Sequence, residues 1–75
     1  MTGGKDTGRI TLWVNGRERV RPAGTTLAAL VAELSRAPSG IAAAVNESVV
    51  PRGRWPLTAL ADGDRIEVLT AVQGG

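Results

Sequence analysis

From Arg9 the chain alternates apolar and polar positions, with Ile10, Leu12 and Val14 set apart by Thr11 and Trp13. A period of two belongs to a strand with one buried face, so residues 9–14 are read as a first strand. Asn15-Gly16 follows, the strongest short signal for a two-residue hairpin, since both residue types accept left-handed backbone angles. The chain then reverses into a second strand, residues 17–21, in which Arg17, Arg19 and Arg21 line one face and Glu18 and Val20 the other. Two readings of that basic face stay open. It grips phosphate or an acidic partner, or its charges keep an edge strand from pairing with other chains.

After a turn at Pro22-Ala23-Gly24 the period changes. Leu27, Leu30, Val31 and Leu34 recur at i, i+3, i+4 and i+7, the apolar stripe of a helix that runs to about Arg36. Thr25 or Thr26 supplies the side-chain oxygen for its first free amides. Residues 37–40, Ala-Pro-Ser-Gly, end it, because proline breaks the hydrogen-bond ladder and disfavours helical geometry just before it. Residues 41–45 form a short, nearly all-apolar strand whose inward and outward positions periodicity does not separate. Asn46-Glu47-Ser48 reads as a turn, braced by the Asn46 side chain, into a brief strand Val49-Val50.

Residues 51–56 are too rich in Pro and Gly for regular structure, and Trp55 within them is expected to plug the side of the core. Residues 57–61 are read as a single helical turn. Asp62-Gly63-Asp64 then reverses the chain; its two carboxylates lack the further ligands at fixed spacing that a calcium loop needs, so no metal site is expected. In the last strand, residues 65–72, Ile66 and Val68 alternate with Glu67 and Leu69, over a length that suits a central strand. One helix packed on one face of a four- to five-stranded sheet makes the fold class α+β.

Composition narrows the chemistry. Seventy-five residues make one domain, burying only about 60% of the unfolded chain's surface. The expected organisation is a loose N-terminal extension at residues 1–8, a domain at 9–72 and a short tail at 73–75. With no Cys and no His, the chain has no thiolate, no disulfide, and neither the commonest general base nor the commonest metal ligand. An enzyme with its own catalytic site is not expected. Eight of the nine basic residues are Arg, which lifts the pI to about 10.5, yet the net charge is only +2. Seven acidic residues are interspersed, so the surface is mixed and nucleic acid is not an expected partner. The longest apolar run, residues 27–32, falls far short of the roughly 20 residues of a membrane span, and the polar, Gly-rich start lacks the pattern of an export signal. The expected setting is cytoplasmic, with no membrane partner.

Taken in order, the motifs resemble a known family over residues 9–75. "VNG" closes the first strand, "GTTLAALVAEL" opens the helix, "AVNESVVPRGRW" follows, and "LADGDRIEVLTAVQGG" ends the chain. This set is similar to the ThiS family of sulfur carriers in thiamine biosynthesis, ubiquitin-like β-grasp proteins. The resemblance implies a β-grasp fold with a mixed four- to five-stranded sheet. It implies a co-substrate with no bound cofactor, whose working group is the C-terminal carboxylate of Gly75, next to Gly74. An ATP- and magnesium-using adenylyltransferase would adenylate that carboxylate. Sulfur from a donor such as a cysteine desulfurase would convert it to a thiocarboxylate, and thiazole synthase would receive the sulfur. The molybdopterin synthase small subunit and other carriers share the Asp-Gly-Asp turn and Gly-Gly but lack the Val-Asn, Val-Pro-Arg, Trp stretch. Other readings remain a sulfur carrier for molybdopterin or another sulfur-containing metabolite, a ubiquitin-like modifier joined to lysines through Gly75, and an RNA-binding module on the Arg face.

The residues suit the implied chemistry. An α-carboxylate with a pKa of roughly 3.5 is ionised at neutral pH and can attack a phosphate without a base. Three extended residues after Val72 reach about 10 Å, and glycines without Cβ atoms let another backbone come close. On the open face of the sheet, Trp13 and Leu69 are candidates for an apolar docking patch. The alternative for Trp13, cover by the extension or a loop, stays open. Arg52 and Arg54 are given no role.

Overall fold

Asn15 and Gly16 take φ of 51° and 83°, the two left-handed positions that let a hairpin close in two residues without splaying its strands. The hairpin joins β1, Arg9–Val14, to β2, Arg17–Pro22, antiparallel along their whole length. The protein was described from a computed structural model that covers residues 8–34 and 40–70. The expected continuation of the helix to Arg36, its stop at residues 37–39, the end of the last strand at 71–72, most of the N-terminal extension and the tail at 73–75 lie outside the described residues.

Helix α1, Leu27–Leu34, starts where Thr26 Oγ1 accepts from Ala29 N at 3.1 Å, so Thr26 caps it. Thr25 instead donates its hydroxyl to Pro22 O at 2.7 Å, bracing the turn before the helix. Leu27, Leu30 and Val31 are buried and Leu34 packs against their cluster, the stripe the spacing predicts. The remaining strands are β3, Ile41–Val45; β4, Ser48–Val50; and β5, Arg65–Thr70. Sheet order is β2-β1-β5-β3-β4, with β1 and β5 parallel and the other pairs antiparallel, so the sheet is mixed and five-stranded. The last strand is central, as its length implied.

Packing settles what periodicity left open in β3. Ala43 lies opposite Val68 and Val50 and is buried, which turns Ala42 and Ala44 to the open face. The core joins Ile10, Leu12 and Val14 of β1, Leu27, Leu30 and Val31 of α1, Ile66 and Val68 of β5, and Trp55 and Leu60.

Two local expectations are corrected. Residues 51–56 are not irregular: Arg52–Leu57 forms a 3-10 helix, with Arg54 N donating to Pro51 O at 2.8 Å. Such a short tight helix needs few bonds and fits the fixed φ of proline, and Trp55 anchors it by donating Nε1–H to Val50 O at 2.9 Å. Residues 57–61 are not a helical turn. Their backbone is claimed by the start of α1, where Leu27 N donates to Thr58 O at 2.8 Å and Leu60 N to Thr25 O at 2.9 Å. The first bond satisfies an amide that the helix cannot satisfy internally.

The second hairpin turn repeats the first with a poorer residue. Asn46 has φ of 51° and Glu47 of 72°, a left-handed position where a side chain is strained and glycine is not. Glu47 gains only an exposed contact with Arg65 at 3.8 Å. Glu47→Gly is therefore expected to stabilise the fold by up to about 1 kcal/mol, read as a higher urea midpoint. Leu30, fully buried, gives the opposite case: Leu30→Ala is expected to cost about 2–5 kcal/mol in the same measurement, much of the stability of so small a domain.

Candidate functional site

The tail follows β5 in the chain, so the site begins with what fixes that strand. Ile66, fully buried, lies between Val14 on the β1 side and Val45 on the β3 side. Each valine is followed by an asparagine in a left-handed turn position, and both asparagines reach back to β5. Asn15 N donates to Ile66 O at 2.8 Å, its Nδ2 to Val68 O at 3.2 Å, and its Oδ1 accepts from Val68 N at 2.9 Å. Asn46 N donates to Arg65 O at 2.7 Å, and its Oδ1 accepts from Arg65 N at 2.9 Å. The expected role of Asn46, bracing its own turn, is thus corrected: its amide pairs with a neighbouring strand.

The Asp-Gly-Asp turn feeds β5 in the same way. Gly63 has φ of 89°, and its N donates to Thr11 O at 2.7 Å. Asp62 Oδ1 accepts from Thr11 N at 2.7 Å, Asp64 Oδ2 from Ala61 N at 2.8 Å, and Asp64 Oδ1 from Asn46 Nδ2 at 3.0 Å. Both carboxylates are occupied in holding the turn, and among the described residues no group of three or more His, Cys, Asp or Glu could hold a metal ion. The described part of β5 ends at Thr70, opposite Ile41. Gly74 and Gly75, the residues of the expected chemistry, lie outside the described residues.

The open face carries Trp13 and Leu69, which are 42% and 66% exposed. Trp13 stands opposite Arg65 at the start of β5, while Leu69 is four residues further on, roughly 13 Å along the strand. The two share a face but are not neighbours. Trp13 is diagonal to the exposed Val20 of β2. Leu69 lies opposite Ala42 and, with Ala44, Glu67 and Val49, lines a shallow depression of about 120 Å³. Sequence reasoning missed these companions of Leu69, because only packing shows which face of β3 carries the small alanines.

The basic face of β2 falls on the helix side. Arg21, Arg19 and Arg17 lie opposite Ile10, Leu12 and Val14, whose side chains enter the core. Arg21 is engaged by Glu33 of α1, its Nε 2.8 Å from Oε1. Arg19 is half-buried, and its Nε is buried without a hydrogen-bond partner. Charges turned inward on an edge strand block its extension by another chain. Arg52 places its guanidinium 5.3 Å from the ring centre of Trp55, a cation–π contact on the far side from the open face.

The ThiS family model matches residues 10–75. The sulfur carrier protein ThiS of Escherichia coli (strain K12) is 36% identical over 53 residues, covering 71% of this chain and 80% of that protein. The thiazole synthases of Magnetococcus marinus and Paramagnetospirillum magneticum are 39% and 34% identical over 66 residues, 88% of this chain. This chain spans 20% of the length of each of those two proteins. The crystal structure of the thiamine biosynthesis protein ThiS from Geobacter metallireducens matches with a TM-score of 0.72 at 26% identity, over 88% of this chain and 100% of that one. The β-grasp arrangement of one helix on a mixed five-stranded sheet, and a family match that runs through to Gly75, make one conclusion: the chain belongs to the ThiS family.

Proposed function

We propose that this chain is a sulfur carrier of thiamine biosynthesis that works as a co-substrate, its reacting group the main-chain carboxylate of Gly75. The observation that carries the reading is the family match across residues 10–75, the terminal Gly-Gly included. The composition supports it: with neither His nor Cys, the chain has neither the commonest general base nor a thiol nucleophile, and a co-substrate needs neither. An adenylyltransferase partner would hold ATP and magnesium and orient the attack. A carboxylate oxygen of Gly75 would bond to the α-phosphorus as pyrophosphate leaves. The persulfide sulfur of a donor such as a cysteine desulfurase would then attack the acyl carbon and displace AMP, and a thiol reductant would cleave the resulting acyl disulfide to release the thiocarboxylate. That two proteins named thiazole synthase contain a stretch similar to 88% of this chain supports thiazole synthase as the acceptor.

The fold serves this role as a rigid handle. β5 is held on both flanks, and residues 71–75, if extended, reach about 17 Å past Thr70, enough to enter a narrow pocket while the domain stays outside. Gly74 and Gly75 would let the pocket close on the main chain, where any Cβ would stand beside the reacting carbon. Leu69, one residue before the end of β5, is the docking contact nearest the tail, and Trp13 is a second anchor at the other end of the open face. Against an RNA-binding reading stands the engagement of Arg21 by Glu33, which removes one of the three arginines from that surface. Among the described residues no helix is long and apolar enough to cross a membrane.

Incubation with the cognate adenylyltransferase, ATP and a sulfur donor is expected to replace one carboxyl oxygen by sulfur, seen in the intact mass. Deleting Gly75 is expected to abolish that gain and leave the urea unfolding curve unchanged. An unchanged mass with an enzyme proven competent on another carrier contradicts the proposal. For docking, Leu69→Ala is expected to raise the KM of the adenylyltransferase about tenfold with little change in kcat. Unaltered KM in both Leu69→Ala and Trp13→Ala would remove the open face from the account.

A further inference from the structure

Asn15 and Asn46 are a matched pair with one difference. Each is the first residue of a two-residue hairpin turn, each has φ of 51°, and each side chain makes two hydrogen bonds toward the strand β5 or the turn that feeds it. They differ in the residue that follows: Gly16 after Asn15, Glu47 after Asn46. That difference matters chemically, because the side-chain amide carbon of an asparagine can be attacked by the main-chain nitrogen of the next residue. A glycine nitrogen carries no neighbouring side chain to obstruct the approach.

We infer that Asn15 is a deamidation site, gated by release of its amide from Val68. In this step Gly16 N loses its proton to solvent base and bonds to Asn15 Cγ. The Cγ–Nδ2 bond breaks, and ammonia leaves with a proton returned from solvent. The five-membered imide then takes up one water and opens to aspartate or to its iso form. Water is the only co-reactant, and both Asn15 and Gly16 are exposed to it. In the folded state the amide is committed to β5, with Nδ2 donating to Val68 O and Oδ1 accepting from Val68 N. The side chain must leave Val68 before Cγ turns toward Gly16 N.

The product reverses the contact. An aspartate at this position has no N–H to donate and sets a carboxylate oxygen against the carbonyl oxygen of Val68, acceptor against acceptor. The iso form adds a carbon to the main chain inside a two-residue turn. Either product loosens β5 from the β1 side immediately before Leu69, so a change in one turn is passed to the strand that leads into the tail.

The test uses the full chain, incubated in mildly alkaline buffer with and without urea, then digested and mapped by mass for amide-to-acid conversion. Conversion at Asn15 is expected to outpace that at Asn46 in both conditions. Urea is expected to speed Asn15 roughly tenfold or more, as loss of two hydrogen bonds predicts. The Asn15→Asp variant is expected to melt below the parent chain. Equal rates at Asn15 and Asn46 in urea, or a rate at Asn15 indifferent to urea, overturns the inference. Both of these readings come from the unmodified sequence, so they stand even if the Asn15→Asp variant does not fold.

Discussion

A parallel pairing only two residues long has to anchor the strand that leads out of the domain. β1 and β5 share just Trp13↔Arg65 and Val14↔Ile66 before β1 turns away into the hairpin. Left there, the main-chain groups of Val68 would face the β1 side with no strand beside them, and a buried residue cannot leave its amide and carbonyl unpaired without cost. The Asn15 side chain supplies the missing peptide group, donating to Val68 O and accepting from Val68 N. Asn46 does the corresponding work for Arg65 on the β3 side. At a net of about 1 kcal/mol for each hydrogen bond, the four side-chain bonds of the two asparagines amount to about 4 kcal/mol. A chain of this length has roughly 4–11 kcal/mol of stability in all. The left-handed turn that aims each asparagine is thus part of what holds the sheet together.

From this constraint the division of the molecule follows. Ile66 and Val68 point inward to the helix, which leaves Glu67 and Leu69 outward, and the strand that completes the core also carries the open face and the route to Gly75. The two Asp carboxylates, the Asn amides and the Arg21–Glu33 pair are all engaged in holding elements in place. These polar groups thus serve architecture, which fits a protein whose proposed chemistry is performed by its partners on a main-chain carboxylate.

Much of this was legible in the sequence where one periodicity dominates. The alternation in residues 9–14, the Asn15-Gly16 turn, the stripe from Leu27 to Leu34 and the Asp-Gly-Asp reversal each have a local physical cause, and each appears in the fold. What sequence did not reveal depends on contacts between distant segments. The 3-10 helix at Arg52–Leu57 forms around the burial of Trp55 and its bond to Val50. Residues 58–60 run beside the start of α1 because Leu27 N donates to Thr58 O and Leu60 N donates to Thr25 O. The reach of Asn46 to Arg65 crosses 19 positions in the chain. Of the candidate site, the outward direction of Trp13 and Leu69 could be read from alternation. Their separation along the face, and the alanine floor beside Leu69, required the strand order.

The central claim is that β5 is held as firmly as the core itself, through the two asparagines. Native-state hydrogen exchange of the Arg65 and Val68 amides tests it most directly, since both amides donate to an asparagine side chain. The account predicts that they exchange only by global unfolding, with the same free energy and denaturant dependence as the whole domain. Exchange far faster than global unfolding, insensitive to denaturant as the turns open locally, would contradict it.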